Sequence, residues 1–312
     1  MLREAACRWL ERRLNVAGVD PQNILPTIGS KELVASLPSQ LGLGAGDLVV
    51  APELAYPTYA VGALAAGARV VHSDSVVGLG PESVALVWVN SPANPTGRVL
   101  PPAHLAKVVA WARERGAIVV SDECYAEFGW TAQPVSILDP LVCGDSHDGL
   151  LAVHSLSKRS NMAGYRAGFV TGDPVLIAEL LAVRRHVGMI VPAPVQAAMA
   201  AALDDDDHVT EQRTRYARRR EVLLEALGSA GFTVDASQAG LYLWATCAQP
   251  CMDTVQWFAD NGILVAPGDF YGPAGASHVR VALTATDERI SAAAARLRSV
   301  RVQDGVQAAP RT

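Results

Sequence analysis

Short, uninterrupted apolar runs alternate with amphipathic stretches between residues 47 and 170. A strand that is apolar at successive positions is buried on both faces, as in a parallel sheet covered by its connecting helices. The pattern therefore predicts an α/β fold, and sheets of this kind bind ligands at the carboxyl ends of their strands. The predicted strands cover residues 47–51, 69–72, 85–89, 117–121, 150–154 and 167–170, and the clearest helices between them cover residues 59–66 and 104–115.

The composition is that of a core-rich globular protein. Half of the 312 residues are apolar and 18% are charged, which suits one sizeable domain and a smaller one. The net charge of −5 argues against a nucleic acid or an anionic membrane as a partner. No apolar run approaches the ~20 residues of a membrane span, and the N-terminus has no apolar signal-peptide core. These observations predict a cytoplasmic protein.

The five cysteines are scattered, and their odd number gives no disulfide framework. This usage fits a reducing compartment. Cys247 and Cys251 are close in sequence, but no histidine or further cysteine stands at the spacing of a zinc finger. We therefore expect no metal site.

The pattern of charged and apolar residues changes after the acidic run at residues 204–207. A long charged helix is predicted over residues 209–229 and a closing helix over 286–297, with strands at 240–244, 263–266 and 278–283 between them. The chain is thus expected to form a large domain over residues 1–207 and a smaller α+β domain over 208–312. An amphipathic helix is predicted over residues 2–14, and a frayed tail over 301–312.

Lys158 closes a tetrapeptide that also contains Ser155 and Ser157, and Arg166 follows eight residues later. A lysine amine can form a Schiff base with an aldehyde cofactor. Two hydroxyls and a planar guanidinium can hold the phosphate of such a cofactor. Taken alone the stretch is weak evidence, because similar tetrapeptides are common on protein surfaces.

Asp122 follows a predicted strand, with Tyr125 three residues later, and Asn94 opens an Asn-Pro-Thr-Gly stretch after another strand. A carboxylate that faces a pyridine nitrogen keeps the ring protonated, so that the ring can accept the electrons of a substrate carbanion. A phenol and an amide can meet the ring oxygen. The alternatives are a helix cap for Asp122, a core aromatic for Tyr125 and a simple turn at Asn94.

Three further positions carry weaker evidence. Ser30 and Lys31 stand at a predicted helix start and could offer backbone N–H groups to a phosphate, although a small-residue cap explains them equally. Tyr56 could stack on a cofactor ring or could simply be core. Arg280 lies inside an apolar strand, where its charge needs an anionic partner: either a substrate carboxylate or an internal salt bridge.

In this order and spacing, these residues resemble the fold-type I aminotransferases of class I/II, which use pyridoxal 5′-phosphate (PLP). The resemblance covers the chain from the first helix to about Leu297. It implies a large domain with a mainly parallel mixed sheet flanked by helices, and a smaller α+β domain. It also implies that Lys158 carries the Schiff base, that Asp122 meets the pyridine nitrogen, and that Asn94 and Tyr125 meet the ring oxygen.

The resemblance implies roles for the other candidates as well. Tyr56 would stack on the ring, and Arg280, with Asn94, would bind the substrate. The implied phosphate ligands are Ser155, Ser157, Arg166 and the backbone of Ser30 and Lys31.

Several stretches are similar, more narrowly, to the actinobacterial N-succinyldiaminopimelate aminotransferases of lysine biosynthesis: residues 52–59, 121–125, 150–158 and 265–272. This similarity implies N-succinyl-L,L-2,6-diaminopimelate as amino donor, 2-oxoglutarate and glutamate as the usual pair, and a homodimer. Relatives of this kind carry some tens of residues before the equivalent of Leu2. A chain made as written is therefore expected to have a more open pocket, a weakened dimer interface and reduced activity.

Two other functions stay open at this point. A fold-type I lyase or decarboxylase would use the same cofactor contacts, and a non-catalytic PLP-binding protein would bind the cofactor without exchanging amino groups. The presence of Lys158, Asp122, Tyr125, Arg166 and Arg280 together speaks against the non-catalytic protein, and a test for exchange of the amino group separates the aminotransferase from the lyase.

Overall fold

A computed structural model describes residues 1–80 and 82–302. The described chain divides into two compact units. The first holds Met1–Arg213 and Gln238–Gly240, and the second holds Thr214–Ser237 and the chain from Leu241 onward. The division falls inside a long helix, a few residues after the boundary predicted at residue 207. Most of the predicted tail, from residue 303 onward, lies outside the described residues.

The strands of the first unit form one seven-stranded sheet in the order β1-β7-β6-β5-β4-β2-β3. Strands β2 to β6 pair in parallel, whereas β7 is antiparallel to both β6 and β1, so β1 runs in the same direction as β6. This confirms the predicted α/β fold with a mainly parallel mixed sheet. The strands are β1 (Ile24–Ile28), β2 (Leu48–Ala51), β3 (Arg69–His72), β4 (Leu86–Asn90), β5 (Ile118–Asp122), β6 (Leu150–Ser155) and β7 (Ala167–Gly172).

Strands β4, β6 and β7 are buried along their whole length, because helices cover both faces of this sheet. Helices α1, α4 and α8 contribute to the core on one face, and α2, α3 and α7 contribute to the core on the other. The helices are α1 (Leu2–Leu14), α2 (Ser30–Gln40), α3 (Thr58–Ala65), α4 (Pro102–Arg115), α5 (Pro140–Cys143), α6 (Leu156–Arg159), α7 (Pro174–His186), α8 (Ala193–Asp204) and α9 (Asp207–Ser229).

The second unit contains a four-stranded antiparallel sheet in the order β10-β11-β9-β8. Its further elements are β8 (Thr233–Asp235), β9 (Tyr242–Thr246), α10 (Cys251–Asp260), β10 (Ala266–Pro267), β11 (His278–Ala282) and α11 (Asp287–Ser299).

The strand predicted over residues 263–266 is wrong, since β10 begins only at Ala266. The N–H of Ile263 instead donates to the carbonyl of Phe258 at 2.9 Å and closes the end of α10. Leu264 then points outward with 93% of its surface exposed. An apolar run that follows a helix can thus terminate the helix without forming a strand.

Among the described helices, none combines the length and the apolar character needed to cross a bilayer. Within residues 1–80 and 82–302, no group of three or more His, Cys, Asp or Glu side chains is arranged to hold a metal ion.

Candidate active site

Four segments that carry predicted residues meet at one edge of the large sheet. The parallel neighbours β4, β5 and β6 end at Asn90, Asp122 and Ser155, and Asn90 pairs directly with Asp122. Strand β1 runs in the same direction and ends at Ile28, so it delivers the start of α2 to the same edge. The edge is therefore the carboxyl edge at which α/β sheets bind ligands.

Asp122 is buried at the tip of β5, with 7% of its surface exposed. Its Oδ2 accepts a hydrogen bond from the Tyr59 hydroxyl at 2.8 Å, and its Oδ1 accepts one from the Cys124 N–H at 3.2 Å. A turn follows Asp122, so the residue is not a helix cap. Two donors hold the carboxylate in one orientation, as a residue facing a fixed ligand requires. Tyr59 is not among the residues predicted from the sequence.

Asn94 is also buried and is held by a second asparagine that was not predicted. The Oδ1 of Asn90 accepts the N–H of Asn94 at 2.7 Å, and the Nδ2 of Asn90 donates to the carbonyl of Asp122 at 2.9 Å. Asn90 thereby ties the Asn94 loop to the end of β5. A polar residue that closes the apolar run at residues 86–89 is the feature that could have identified it.

Lys158 lies on the short helix α6, directly after β6. Ser155 caps this helix, since its hydroxyl accepts the N–H of Ser157 at 3.2 Å. Lys158 is half-buried, and its Nζ lies 5.7 Å from the ring centroid of Tyr125. The structure thus places the predicted amine beside the segment that begins with Asp122.

The environment of Cys124 shows that three predicted residues are neighbours. Burial and then the charge of Asp122 raise the pKa of this thiol well above its ordinary value. The hydroxyl of Ser30 and the charge of Lys158 act in the opposite direction. Ser30, Asp122 and Lys158 therefore surround the same side chain, although Cys124 was not among the predicted site residues.

The start of α2 and Arg166 together form a place for an anion. No side chain caps α2, and a Cβ added to Gly29 would collide with Nη2 of Arg166. A Cβ added to Gly168 would lie 3.1 Å from the Ser30 nitrogen. Arg166 itself has a left-handed backbone with φ 53°, a costly conformation that clusters at functional sites. Helix N–H groups next to a guanidinium are suited to a phosphate.

Tyr56 and Lys31 lie at the rim of this region. The Tyr56 ring is half-buried and meets the Tyr59 ring edge-to-face, with centroids 5.9 Å apart. Tyr59 in turn donates to Asp122. Lys31 is exposed, and its Nζ lies 5.6 Å from the Tyr56 ring centroid.

Arg280 belongs to the second unit, where it lies on β11 opposite Trp244 of β9. Its guanidinium carbon is 5.2 Å from the ring centroids of both Tyr242 and Tyr271. Two aromatic rings thus hold the guanidinium in place. Its binding of a substrate carboxylate stays a prediction.

A buried ion pair behind Lys158 was not predicted from the sequence. Nε of Arg159 lies 2.5 Å from Oε2 of Glu127, and each side chain is at most 5% exposed. Arg159 also donates to Asp206 at 2.7 Å, and Arg13 pairs with Glu127 at 2.9 Å. Because Glu127 follows β5 and Arg159 follows β6, the pair joins the two segments that carry Asp122 and Lys158.

The donor set at this edge fits a phosphate-bearing aldehyde. An amine stands beside a phenol ring, an oriented carboxylate lies at the neighbouring strand end, and an uncapped helix start meets a guanidinium. The space that a Cβ at Gly29 would fill is bounded by Arg166, so the cradle depends on the absence of a side chain there. These groups can bind an anion, form a bond to a carbonyl carbon and move a proton.

Comparisons with known proteins point the same way. A family model described as aminotransferase class I and II matches residues 1–297. A probable aminotransferase of Mycobacterium tuberculosis (Rv1178) is 65% identical over 296 residues, which are 95% of this chain and 71% of that protein. The 4-dedimethylamino-4-oxo-anhydrotetracycline transaminase OxyQ of Streptomyces rimosus is 63% identical over 95% of this chain and 82% of its own length.

The fold agrees with solved structures as well. The probable N-succinyldiaminopimelate aminotransferase of Thermus thermophilus has a TM-score of 0.84 and is 29% identical, with 96% of this chain and 83% of that chain covered. Both the sequence and the fold are thus shared along nearly the whole chain. The chain therefore belongs to the class I and II aminotransferases, a family of PLP-dependent transaminases.

Proposed function

We propose that this chain moves an amino group between an amino acid and a 2-oxo acid, with PLP held at the carboxyl edge of the large sheet. The observation that carries the proposal is the grouping of Lys158, Asp122 and the Arg166–α2 cradle at that edge. In this proposal Lys158 would bind the aldehyde carbon of the cofactor, and Asp122 would face the ring nitrogen. The remaining contacts come from Ser30, Lys31, Tyr56, Asn94, Tyr125, Ser155, Ser157 and Arg166.

When bound, the cofactor supplies the carbonyl carbon that accepts the amine and the ring that holds the electrons released from the substrate. Lys158 would take the proton from the substrate Cα, hold it and later give it back. Asp122 presents its negative charge to the ring nitrogen in an orientation set by Tyr59. Arg166 and the N–H groups at the start of α2 neutralise the phosphate, which anchors the reacting atoms.

For the substrate, we propose N-succinyl-L,L-2,6-diaminopimelate with the 2-oxoglutarate/glutamate pair, in the diaminopimelate route to lysine. The support is the similarity of four sequence stretches and the likeness to the Thermus thermophilus enzyme. Arg280 would bind the α-carboxylate through a bidentate contact, with Asn94 also touching the substrate.

A second candidate substrate is a polycyclic ketone of the anhydrotetracycline type. One observation favours it: the 63% identity to OxyQ, a transaminase named for such a ketone. The two candidates share the cofactor chemistry but play different parts in it, since N-succinyl-diaminopimelate is an amino donor and the ketone is an amino acceptor. A screen of kcat/KM over N-succinyl-diaminopimelate, N-acetylornithine, aspartate, aromatic amino acids and an oxo-anhydrotetracycline separates them.

We further propose a homodimer in the cytoplasm. The support is the family resemblance, the small-molecule substrates and five cysteines that are all free. Light scattering of the purified protein measures the mass of the assembly, and a monomer at micromolar concentration would contradict the dimer.

The role of Lys158 can be tested directly, because the chain has only three lysines: Lys31, Lys107 and Lys158. Borohydride reduction of the PLP-loaded protein, followed by peptide mapping, should place the cofactor on Lys158 alone. Lys158→Ala should lose the visible absorbance of the bound cofactor and most amino-group exchange, whereas Lys107→Ala, an exposed position on α4, should keep both. Exchange that survives in Lys158→Ala would refute the proposal, and cofactor binding without exchange in the wild type would indicate a non-catalytic protein.

A further inference from the structure

Two buried titratable side chains face each other directly behind the strand ends that carry the proposed catalytic residues. Nε2 of His154 lies 3.8 Å from Oε2 of Glu123, and each residue is only 2% exposed. The rings of Trp9 and Phe169 each lie with centroids 5.0 Å from the imidazole centroid. Neither Glu123 nor His154 has a part in the proposed transfer of the amino group.

The hydrogen bonds of this pair are incomplete. Oε1 of Glu123 accepts the N–H of Ile137 at 2.7 Å. Among the described residues, no group forms a hydrogen bond with Oε2 of Glu123 or with either ring nitrogen of His154. A distance of 3.8 Å is too long for a direct hydrogen bond. Three unsatisfied polar atoms at one buried spot are costly, and such groups are normally satisfied by a water molecule.

A small cavity opens at this spot. It has a volume of about 10 Å³, close to what one water molecule needs, and its lining includes Glu123, His154, Trp9 and Phe169. Glu127 and Arg159 line the same cavity and pair with each other. One water molecule here could lie within hydrogen-bonding distance of both Oε2 and Nε2.

The protonation states suit such a bridge. Burial raises the pKa of the Glu123 carboxyl to about 7, although the Ile137 N–H and the neighbouring Ser136 and Ser121 hydroxyls act in the opposite direction. Burial lowers the pKa of the His154 imidazole to about 3. Between these two pKa values both groups are neutral, so the carboxylic acid can donate its proton while the imidazole accepts one from the water. The charged groups around the pair are Asp122, whose charge contributes to the raised pKa of Glu123, and the ion pair of Glu127 with Arg159.

Strand geometry connects this pair to the site. Asp122 pairs with Val153, and the N–H of Glu123 donates to the Val153 carbonyl at 2.9 Å. Because successive strand residues point to opposite faces, Glu123 and His154 lie on the face opposite to the Asp122 side chain. The backbone of the two strand ends therefore connects the pair with Asp122, and Ser155 lines the same cavity as the pair.

We propose that Glu123 and His154 are positioning residues, bridged by one water molecule, which hold the ends of β5 and β6 in register and thereby place Asp122 and Lys158. This inference rests on the proposed function, since it assigns the pair to the support of that same site. Its physical basis is the completion of the hydrogen bonds that the protein leaves open at Oε2 of Glu123 and Nε2 of His154.

Four variants test the pair. Glu123→Gln keeps an acceptor for Ile137 and a donor toward the water, so its kcat should stay within about 2-fold of the wild type. Glu123→Met and His154→Phe remove one side of the bridge and should each lower kcat about 10-fold or more with little change in KM, because small displacements of reacting groups are costly. Thr171→Val, which removes a buried hydroxyl on β7 outside the cavity, is the matched control and should retain the wild-type kcat.

Two measurements on the cofactor-free protein do not depend on activity or on the folding of a variant. A high-resolution crystal structure should show one water molecule between Oε2 and Nε2. Infrared spectra should show the band of a protonated carboxylic acid below pH 7 that disappears above it, and Glu123→Gln should lack this band. A dry cavity, the absence of the band or a wild-type kcat in Glu123→Met would each overturn the inference. Exchange retained by Lys158→Ala would instead refute the proposed function and leave these two measurements standing.

Discussion

Removing either member of the Glu123–His154 pair should change the pH dependence of stability in opposite directions. In the unfolded chain, between pH 4.5 and 6.5, the glutamate is ionised and the histidine is protonated. In the folded protein the glutamate holds the proton and the histidine is neutral. Folding therefore transfers one proton between the two groups without net uptake, and the free energy of unfolding contributed by the pair is flat across this window.

Each single variant should show how the free energy of unfolding changes with pH when only one of the two groups titrates. In Glu123→Gln only His154 titrates; its pKa is depressed on folding, so stability is complete above pH 6.5 and falls as the pH is lowered toward 3. In His154→Phe only Glu123 titrates; its pKa is raised on folding, so stability is complete below pH 4.5 and falls as the pH rises through 7. Each slope is about 1.4 kcal/mol per pH unit, which gives about 3 kcal/mol over the two units of the window.

Urea unfolding of the wild type, both single variants and the double variant between pH 4.5 and 6.5 measures these slopes. Relative to the wild type, Glu123→Gln should lose stability toward pH 4.5, His154→Phe should lose it toward pH 6.5, and the double variant should run parallel to the wild type. Glu127, Arg159 and Asp122 are present in all four proteins. Single variants that both run parallel to the wild type would refute the reasoning.

Three further predictions concern the cofactor site. Tyr59→Phe removes the donor to Oδ2 of Asp122 and should lower kcat/KM roughly 5-fold, a loss of about 1 kcal/mol, and an unchanged value in steady-state kinetics would contradict it. Gly29→Ala forces a Cβ against Arg166 at φ 74° and should weaken PLP binding, which a titration with PLP measures. The control Gly18→Ala, at φ 72° with open space around it, should lower thermal stability without affecting PLP binding. Arg166→Lys should raise the Kd for PLP about 10-fold, because an ammonium cannot replace a bidentate guanidinium, and fluorescence titration measures this.

Most of the large sheet could be predicted from the sequence because its central strands are buried on both faces. Such strands appear as continuous apolar runs, and those at residues 85–89, 117–121 and 150–154 coincide with strands to within a residue or two. The strand predicted at residues 69–72 also forms, although this edge strand is exposed at both ends. The strand predicted at residues 263–266 does not form, because apolar side chains that close a helix have the same composition as a short strand. Helices α7 and α8 are not predicted, because the apolar and polar residues of these two segments do not alternate clearly with the period of a helix.

The residues of the candidate site likewise include some that the sequence could identify and some that it could not. Lys158, Asp122 and Asn94 could be found because each follows an apolar run, and the carboxyl ends of parallel strands converge. Asn90 closes such a run too, but its partners could not be predicted, and Tyr59 could not be found at all, because its importance depends on which atom it reaches across the fold. A hydrogen-bond partner in another element is a property of tertiary structure, and single-residue patterns do not contain it.

The two faces of the sheet edge explain why residues next to each other in sequence have different tasks. Asp122 and Glu123 are adjacent carboxyl groups, yet strand alternation directs one toward Tyr59 and the other toward His154. The first is oriented by two hydrogen-bond donors, while burial holds the proton of the second, as its raised pKa indicates. A carboxylate that must keep its charge and a carboxyl group that must stay neutral can thus be neighbours, because the sheet separates their surroundings. Converting each carboxyl group to an amide should therefore have unequal effects. Asp122→Asn should abolish most transfer of the amino group, and Glu123→Gln should leave this transfer nearly intact.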